Sequence, residues 1–488
     1  WAAWRIGGAL AAFVAGVGVA LCRGSINYSV IGTGDHHAWV SLLAGAALLA
    51  LSQALRSAQL ASARRSALWG VLLGVLCGLL VGSWVASLLY VVELQLVLGW
   101  MLWRRTKQEL PGLAVLGFAL HAAAALVLLP AVLQSPWRAE FPWMVVNLSW
   151  FHLAYFVLGA LVFAPLWIPS FASGTRAARA YPALVVATLV ALAFFCWALE
   201  LAPARGVAEG LEWVARVDRF MDSVQESMPL VGSRAESGVL FLALGYGVLL
   251  APIALGWAAW RAWKHHEDEL VPWIVATALL LPQALQQRRF ADALAIPMAV
   301  RLGLAAARIA LRLRSRWTVA ALASVALLAQ WPSVASAWRR LSSPRDPQLG
   351  GPFDPVSGER RALEWIRAQT DGLDGWSVLA HWDRGHVIEW ASNAPSVATN
   401  FGSYIGVDSY SDPARFFLSE DLAEARALLE RRHVRFVFAP ATLLQLVPSM
   451  CRIAAPERRA QLLRETAQGQ LVLADPWYAT MAARLLFN

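Results

Sequence analysis

Between Trp1 and about residue 338 the sequence is a succession of apolar runs, at 68–90, 113–133, 184–199, 239–260 and 317–329 among others. Each reaches or approaches the ~20 residues that cross hydrocarbon as a helix. In lipid every backbone N–H and C=O must be bonded within its own segment, so runs of this kind form a helical bundle. We count about eleven spans, followed by a more polar tail. With 58% hydrophobic and 15% charged residues and a mean hydropathy of +0.52, the 488 residues carry far more apolar side chain than a soluble core needs. The expected fold is a polytopic α-helical membrane protein with a C-terminal α/β domain.

Charge placement predicts an orientation. If the first span leaves the cytoplasm, alternate loops hold Arg56, Arg64 and Arg65, then Arg104, Arg105 and Lys107, then Arg176 and Arg179, then Arg261 and Lys264, then Arg312, Arg314 and Arg316. That is the positive-inside pattern, and it sets the loop at Asp35, residues 203–236 and the tail from about residue 339 outside. The net charge of +9 is thus mostly topogenic, which argues against a nucleic-acid partner. Cys22, Cys77 and Cys196 lie in or beside apolar runs and Cys451 stands alone in the tail, so no disulfide framework is expected. No signal peptide is visible and residue 1 is Trp, so the numbered chain is expected to begin inside a longer protein.

Two domains follow: 1–338, a membrane domain with a long external loop at 203–236, and 339–488, a soluble domain. The loop holds an amphipathic run, 207–221, that reads as an interfacial helix. The tail opens on a Pro/Gly-rich stretch, 343–355, and continues with helix-like stretches at 359–370 and 419–432 and a strand-like 434–438, the pattern of a small α/β domain of ~130–150 residues.

Four polar constellations stand against this apolar background. The tail has Ala380-His381-Trp382-Asp383-Arg384-Gly385-His386, followed by Pro395-Ser396-Val397-Ala398-Thr399-Asn400. A buried Trp beside a turn-forming Asp is the plain structural alternative. In the first external loop, Gly34-Asp35-His36-His37 opens into an apolar run; Asp35 suits a helix N-cap, while the adjacent histidines suit a metal. In the long loop, between the seventh and eighth spans, stands Ser223-Val224-Gln225-Glu226, which also has capping-box spacing. Arg288-Arg289-Phe290, just ahead of Ala291-Asp292, puts guanidinium groups at membrane depth, either lining a functional cavity or snorkelling to the surface.

In this order, over nearly the whole chain, these elements resemble the catalytic subunits of oligosaccharyltransferases, the bacterial and archaeal single-subunit type. Their tail signature is WWDYG; here His381 stands for the first Trp and Arg384 for the Tyr. The resemblance implies thirteen spans, so that the eleven here are the third to thirteenth and a first catalytic aspartate lies ahead of Trp1. It implies transfer of a glycan from a polyprenyl-pyrophosphate carrier to the Asn of Asn-x-Ser/Thr in an acceptor polypeptide, with inversion at the anomeric carbon. Glu226 and Asp35 become the catalytic pair, and Asp35, His37 and Glu226 the ligands of Mg²⁺ or Mn²⁺. Arg289 and His386 would meet the lipid pyrophosphate. Trp382, Asp383 and His381 would read the sequon, with Met450 and Ile453 from a segment similar to a further family helix. The implied location is the bacterial inner membrane, with site and tail on the extracytoplasmic side. Two other classes remain open: a related membrane glycosyltransferase using a polyprenyl-phosphate sugar, and a lipid-linked glycan transporter, which leaves a Trp-Asp-x-Gly tail unexplained.

Overall fold

The computed structural model describes the chain except residues 27–35, 57–59, 105–108, 168–174, 216, 218, 232–236, 343–354, 370–374, 403–406, 467–470 and 488. Asp35, Arg105, Lys107 and nearly all of the Pro/Gly-rich stretch 343–355 lie outside the described residues. Contacts divide the chain into two units, one of Trp1–Val214 with Pro229–Arg340 and one of Ala215–Met228 with Leu341–Asn488.

The first unit is helical throughout its described residues. Among the described residues seven helices are long and apolar enough to cross a membrane: Ala2–Ala20, His37–Ala54, Ala63–Ser83, Val85–Arg104, Leu110–Gln134, Asp268–Gln286 and Arg288–Leu313. Two bent pairs, Ala183–Ala198 with Ala202–Val214 and Arg316–Ala329 with Trp331–Arg339, raise the number to nine if each is one span. That number rests on length and composition of the described residues, and other apolar runs of the sequence fall on shorter helices. Ser237–Leu244 is separated from Ala251–His265 at Gly245, whose φ of +69° suits only a residue without a side chain, and Trp150–Leu166 is apolar but shorter.

Glycines set the tightest helix contact. Gly70, Gly74 and Gly78 form a stripe at a spacing of four on Ala63–Ser83, facing Leu110–Gln134. A Cβ on Gly70 would lie 2.6 Å from the Leu116 carbonyl oxygen, and one on Gly78 2.7 Å from Val127. In lipid, where burial drives little, such close backbone packing holds helices together. One polar chain between helices is paired: Tyr155 donates to Gln95, whose amide nitrogen lies 2.9 Å from His121 Nε2, and His121 Nδ1 meets the Gly117 carbonyl at 2.7 Å. At the other end Arg104 donates to the carbonyls of Ala262 (2.7 Å) and Trp263 (2.9 Å), closing the C-terminus of Ala251–His265 as a cation at a helix end should.

The second unit is a small α/β assembly. Strand Ser377–Leu379 pairs in parallel with Val434–Val437, and Leu463–Glu465 pairs antiparallel with Leu471–Leu473. Leu363, Ile366, Val378, Ala380, Ile388 and Phe438 make a core between the first sheet and helices Pro355–Gln369 and Gly385–Ser392. Asp412 is fully buried and is met by Arg432 Nε at 2.7 Å, Arg431 Nη2 at 2.9 Å and Arg415 Nη1 at 3.5 Å, which ties Val407–Leu418 to the end of Leu422–Arg431. A buried carboxylate is stable only with such partners. The run 207–221, expected as one interfacial helix, is instead Ala202–Val214 and Arg219–Ser223, and the second of these belongs to this unit.

Candidate active site

In the membrane unit, the residues singled out in the first external loop and in the Arg-Arg-Phe stretch come together. The helix His37–Ala54 begins with His36 as its N-cap, without a side-chain cap bond; Asp35, the other candidate for that cap and for a metal, lies outside the described residues. His37 is buried, and its Nδ1 is 3.7 Å from Oδ2 of Asp292, in the first turn of Ala291–Leu313. The same Oδ2 accepts a 2.7 Å hydrogen bond from Ser41, one turn beyond His37, and Oδ1 accepts from the Ala293 amide at 2.6 Å. His36 and His37 stack at 4.5 Å, and Trp84 packs against both rings and against Phe290.

Arg289 sits in a 3₁₀ turn, Arg288–Phe290, between two apolar helices. It is 6% exposed and its guanidinium lies 4.9 Å from the Trp213 ring centroid, so the charge is buried against an aromatic face. Gln287 donates to the Val214 carbonyl and Arg288 Nε to the Pro229 carbonyl at 3.3 Å. These bonds fasten both ends of the excursion, Val214 and Pro229, to the turn that carries Arg289.

The second unit holds the other candidates. Glu226 is half-buried in a 3₁₀ turn, Gln225–Ser227. The Ser223 hydroxyl donates back to the Phe220 carbonyl at 2.6 Å, so the capping-box spacing does not make a capping box. Phe220, just ahead, anchors the segment: its ring meets Trp382 edge-on at 5.0 Å and Tyr410 at 5.5 Å. It also covers Gly402, where any Cβ would strike the ring and where φ is +58°. Glu226 and the Trp-Asp turn are therefore parts of one folded unit.

Within that turn, His381 is 2% exposed and its Nδ1 lies 2.8 Å from Oδ1 of Asp383. With Nδ1 protonated the imidazole donates to the carboxylate and fixes its direction. Oδ2 of Asp383 is 3.9 Å from Arg384 Nε, and Arg384 continues to Glu359 (3.4 Å) and Thr442 (3.3 Å). Nε1 of Trp382 and Nε2 of His381 are buried with no hydrogen-bond partner among the described residues, two polar atoms a ligand could satisfy. His386 is exposed, 3.4 Å from Glu389 and against the Phe401 ring. Met450 and Ile453 are buried in Leu443–Ala454, the helix on which Arg219–Ser223 packs.

Among the described residues no three His, Cys, Asp or Glu side chains gather as a metal site. The donor chemistry at His37 nevertheless fits a divalent cation: a carboxylate facing one ring nitrogen is the usual partner of a metal-bound histidine. Reading the sequence missed Asp292, Ser41, Trp84, Trp213 and Phe220. Asp292 alone left a signal, a charge inside an apolar run; the rest are ordinary residues until the fold brings them in.

No protein-family model and no curated protein sequence matches the chain. Solved structures do. Archaeal oligosaccharyltransferase AglB from Archaeoglobus fulgidus, in complex with an inhibitory peptide and a dolichol-phosphate, superposes with a TM-score of 0.75 over 99% of this chain at 18% identity. The chain has the oligosaccharyltransferase fold. The Archaeoglobus fulgidus enzyme tethered to an acceptor peptide containing the NVT sequon gives a TM-score of 0.73 at 18% identity, over 99% of this chain and 64% of that one. Its complex with Zn and sulfate gives 0.69 at 18% identity, over 99% and 62%. The chain thus spans 64% of the length of the first of these proteins, somewhat under two thirds, and within this oligosaccharyltransferase fold its own residues must carry any functional argument.

Proposed function

We propose that this protein is an oligosaccharyltransferase, moving a glycan from a polyprenyl-pyrophosphate carrier to the Asn of an Asn-x-Ser/Thr sequon with inversion at the anomeric carbon. The observation that carries the reading is that Glu226 and Trp382-Asp383 fold in one unit, joined through Phe220, inside a chain with this fold. The solved relatives were captured with a dolichol-phosphate and with a sequon peptide, which supports a lipid donor and a peptide acceptor here.

The chemistry asks for what these residues offer. An asparagine amide is a poor nucleophile because its nitrogen lone pair is delocalised into the carbonyl. Glu226 accepts from the amide N–H groups, which orients the nitrogen and weakens that conjugation. Trp382 and Asp383 meet the Ser/Thr hydroxyl two residues on, with His381 holding the Asp383 carboxylate towards it. Arg289, desolvated against Trp213, gives charge-assisted hydrogen bonds to the pyrophosphate oxygens as the leaving group departs, and His386 is assigned to the same lipid phosphate. Asp35, His37 and Glu226 would hold Mg²⁺ or Mn²⁺, with Asp292 steadying the His37 ring; when bound, the ion supplies Lewis-acid stabilisation of the developing phosphate charge. The reaction takes place on the extracytoplasmic side of the bacterial inner membrane.

The test is transfer by the full-length protein from a polyprenyl-pyrophosphate glycan to an Asn-x-Thr peptide, with Mn²⁺ and with a chelator. Glycopeptide that needs the ion is the expected result. Product formed only from a polyprenyl-monophosphate sugar would move the protein to the other glycosyltransferase class.

A further inference from the structure

A cavity of about 480 Å³ lies within the membrane unit, among helices Ala2–Ala20, Ala251–His265, Ala291–Leu313 and Arg316–Ala329. None of the residues assigned above lines it. From Asp292 to Arg308 is sixteen residues of one helix, or about 24 Å. Its walls are apolar, formed by residues such as Val14, Trp257, Met298 and Leu302, and it opens sideways, where Ile253 and Val325 are exposed.

One end is different. Arg261, Arg308 and Arg312 all line it there, at the ends of two helices. Glu267 is the carboxylate at this cluster, paired with Arg261 and 3.6 Å from Arg308. Among the described residues Arg312 has no acidic partner, so three guanidinium groups share one carboxylate and two positive charges are left over. From Met298 to Arg312 the wall runs about 21 Å, somewhat more than the ~15 Å of hydrocarbon in one leaflet. An apolar slot of leaflet depth, open to the bilayer and ending in excess guanidinium charge, matches a molecule with a long acyl chain and a phosphate at one end.

We propose that this cleft is a binding site for an anionic glycerophospholipid, with one acyl chain in the slot and the headgroup phosphate on Arg261, Arg308 and Arg312. The charge complementarity selects the occupant: a zwitterionic lipid brings its own cation to a cluster that already has a surplus.

The full-length protein is reconstituted in nanodiscs of phosphatidylcholine and phosphatidylglycerol, and the lipid it retains on transfer to detergent is measured by native mass spectrometry. Phosphatidylglycerol should be retained about tenfold over its share of the disc, a preference of about 1.4 kcal/mol. Arg308→Gln with Arg312→Gln should remove that preference. Arg312→Gln alone, which leaves the Glu267 pairs intact, should reduce it in the same direction should the double variant fail to fold. Ala305→Phe, filling the slot with the arginines untouched, should lower retention of both lipids. An unchanged lipid ratio in the arginine variants would overturn the proposal, as would retention indifferent to Ala305→Phe or displacement by inorganic phosphate alone. Polyprenyl phosphate retained in preference to phosphatidylglycerol, or an Ala305→Cys cross-link to a second copy of the chain, would assign the cleft to another occupant.

Discussion

Asp292 illustrates how a residue acquires its role from neighbours far along the chain. Alone it is a charge in an apolar helix; beside His37 and Ser41 it is a fixed acceptor that sets the direction of an imidazole. Asp292→Asn keeps the shape and removes the charge. Loss of such a partner should weaken Mn²⁺ binding about 10- to 100-fold, read as free Mn²⁺ by electron paramagnetic resonance. A fall in thermal stability with an unchanged Mn²⁺ titration would leave Asp292 a purely structural group. Glu226→Gln should abolish transfer while peptide binding survives, and near-normal turnover in the purified variant would remove Glu226 from the chemistry. For Asp383→Ala, the advantage of Asn-x-Thr over Asn-x-Ala peptides should disappear, at about 1–3 kcal/mol for one lost hydrogen bond in a site built around it. Competition binding with the two peptides decides it, since equal discrimination before and after means that Asp383 does not read the hydroxyl. The Trp-Asp turn was visible in the sequence because its residues are adjacent. The sequence also named His381, but not that its ring faces the Asp383 carboxylate, because sequence order does not show which way an imidazole points.

At the scale of elements, the long helices follow from the apolar runs because each satisfies its own backbone. The tail elements follow for a similar local reason: the stretches at 359–370, 419–432 and 434–438 match Pro355–Gln369, Leu422–Arg431 and Val434–Val437 to within four residues at each end. Breaks within the membrane unit were less legible, since a glycine such as Gly245 interrupts a helix only when the surrounding helices require the turn. The Gly70, Gly74 and Gly78 stripe was likewise an unremarked regularity until its partner helix was known. Gly74→Ala tests it. The added methyl meets the Leu120 carbonyl, a backbone atom that cannot swing aside, and overpacking of this kind costs about 1–3 kcal/mol. Thermal unfolding in detergent should show a lower midpoint than Gly82→Ala on the same helix, where the nearest atom is a Leu128 side chain at 3.5 Å. Equal midpoints would mean that the two helices tolerate separation.

For the molecule as a whole, the division into units departs from the division read along the chain. Residues 215–228 leave the membrane unit between Val214 and Pro229 and fold with the tail, taking Glu226 with them. The orientation proposed from the arginine-rich loops has a direct test. Trp390 is 85% exposed in the second unit, and Trp390→Cys should react with a membrane-impermeant thiol reagent from the periplasmic side; reaction only after the membrane is broken would reverse the topology. By itself the sequence determined what local physics controls: a bundle of helices, their polar tail, and which short motifs are candidates for chemistry. An apolar run has one way to satisfy its backbone in lipid, whatever surrounds it. Only the tertiary structure decided which polar groups meet. The partners come from distant parts of the chain: Asp292 for His37, Trp213 for Arg289, and Phe220 holding the segment of Glu226 to Trp382.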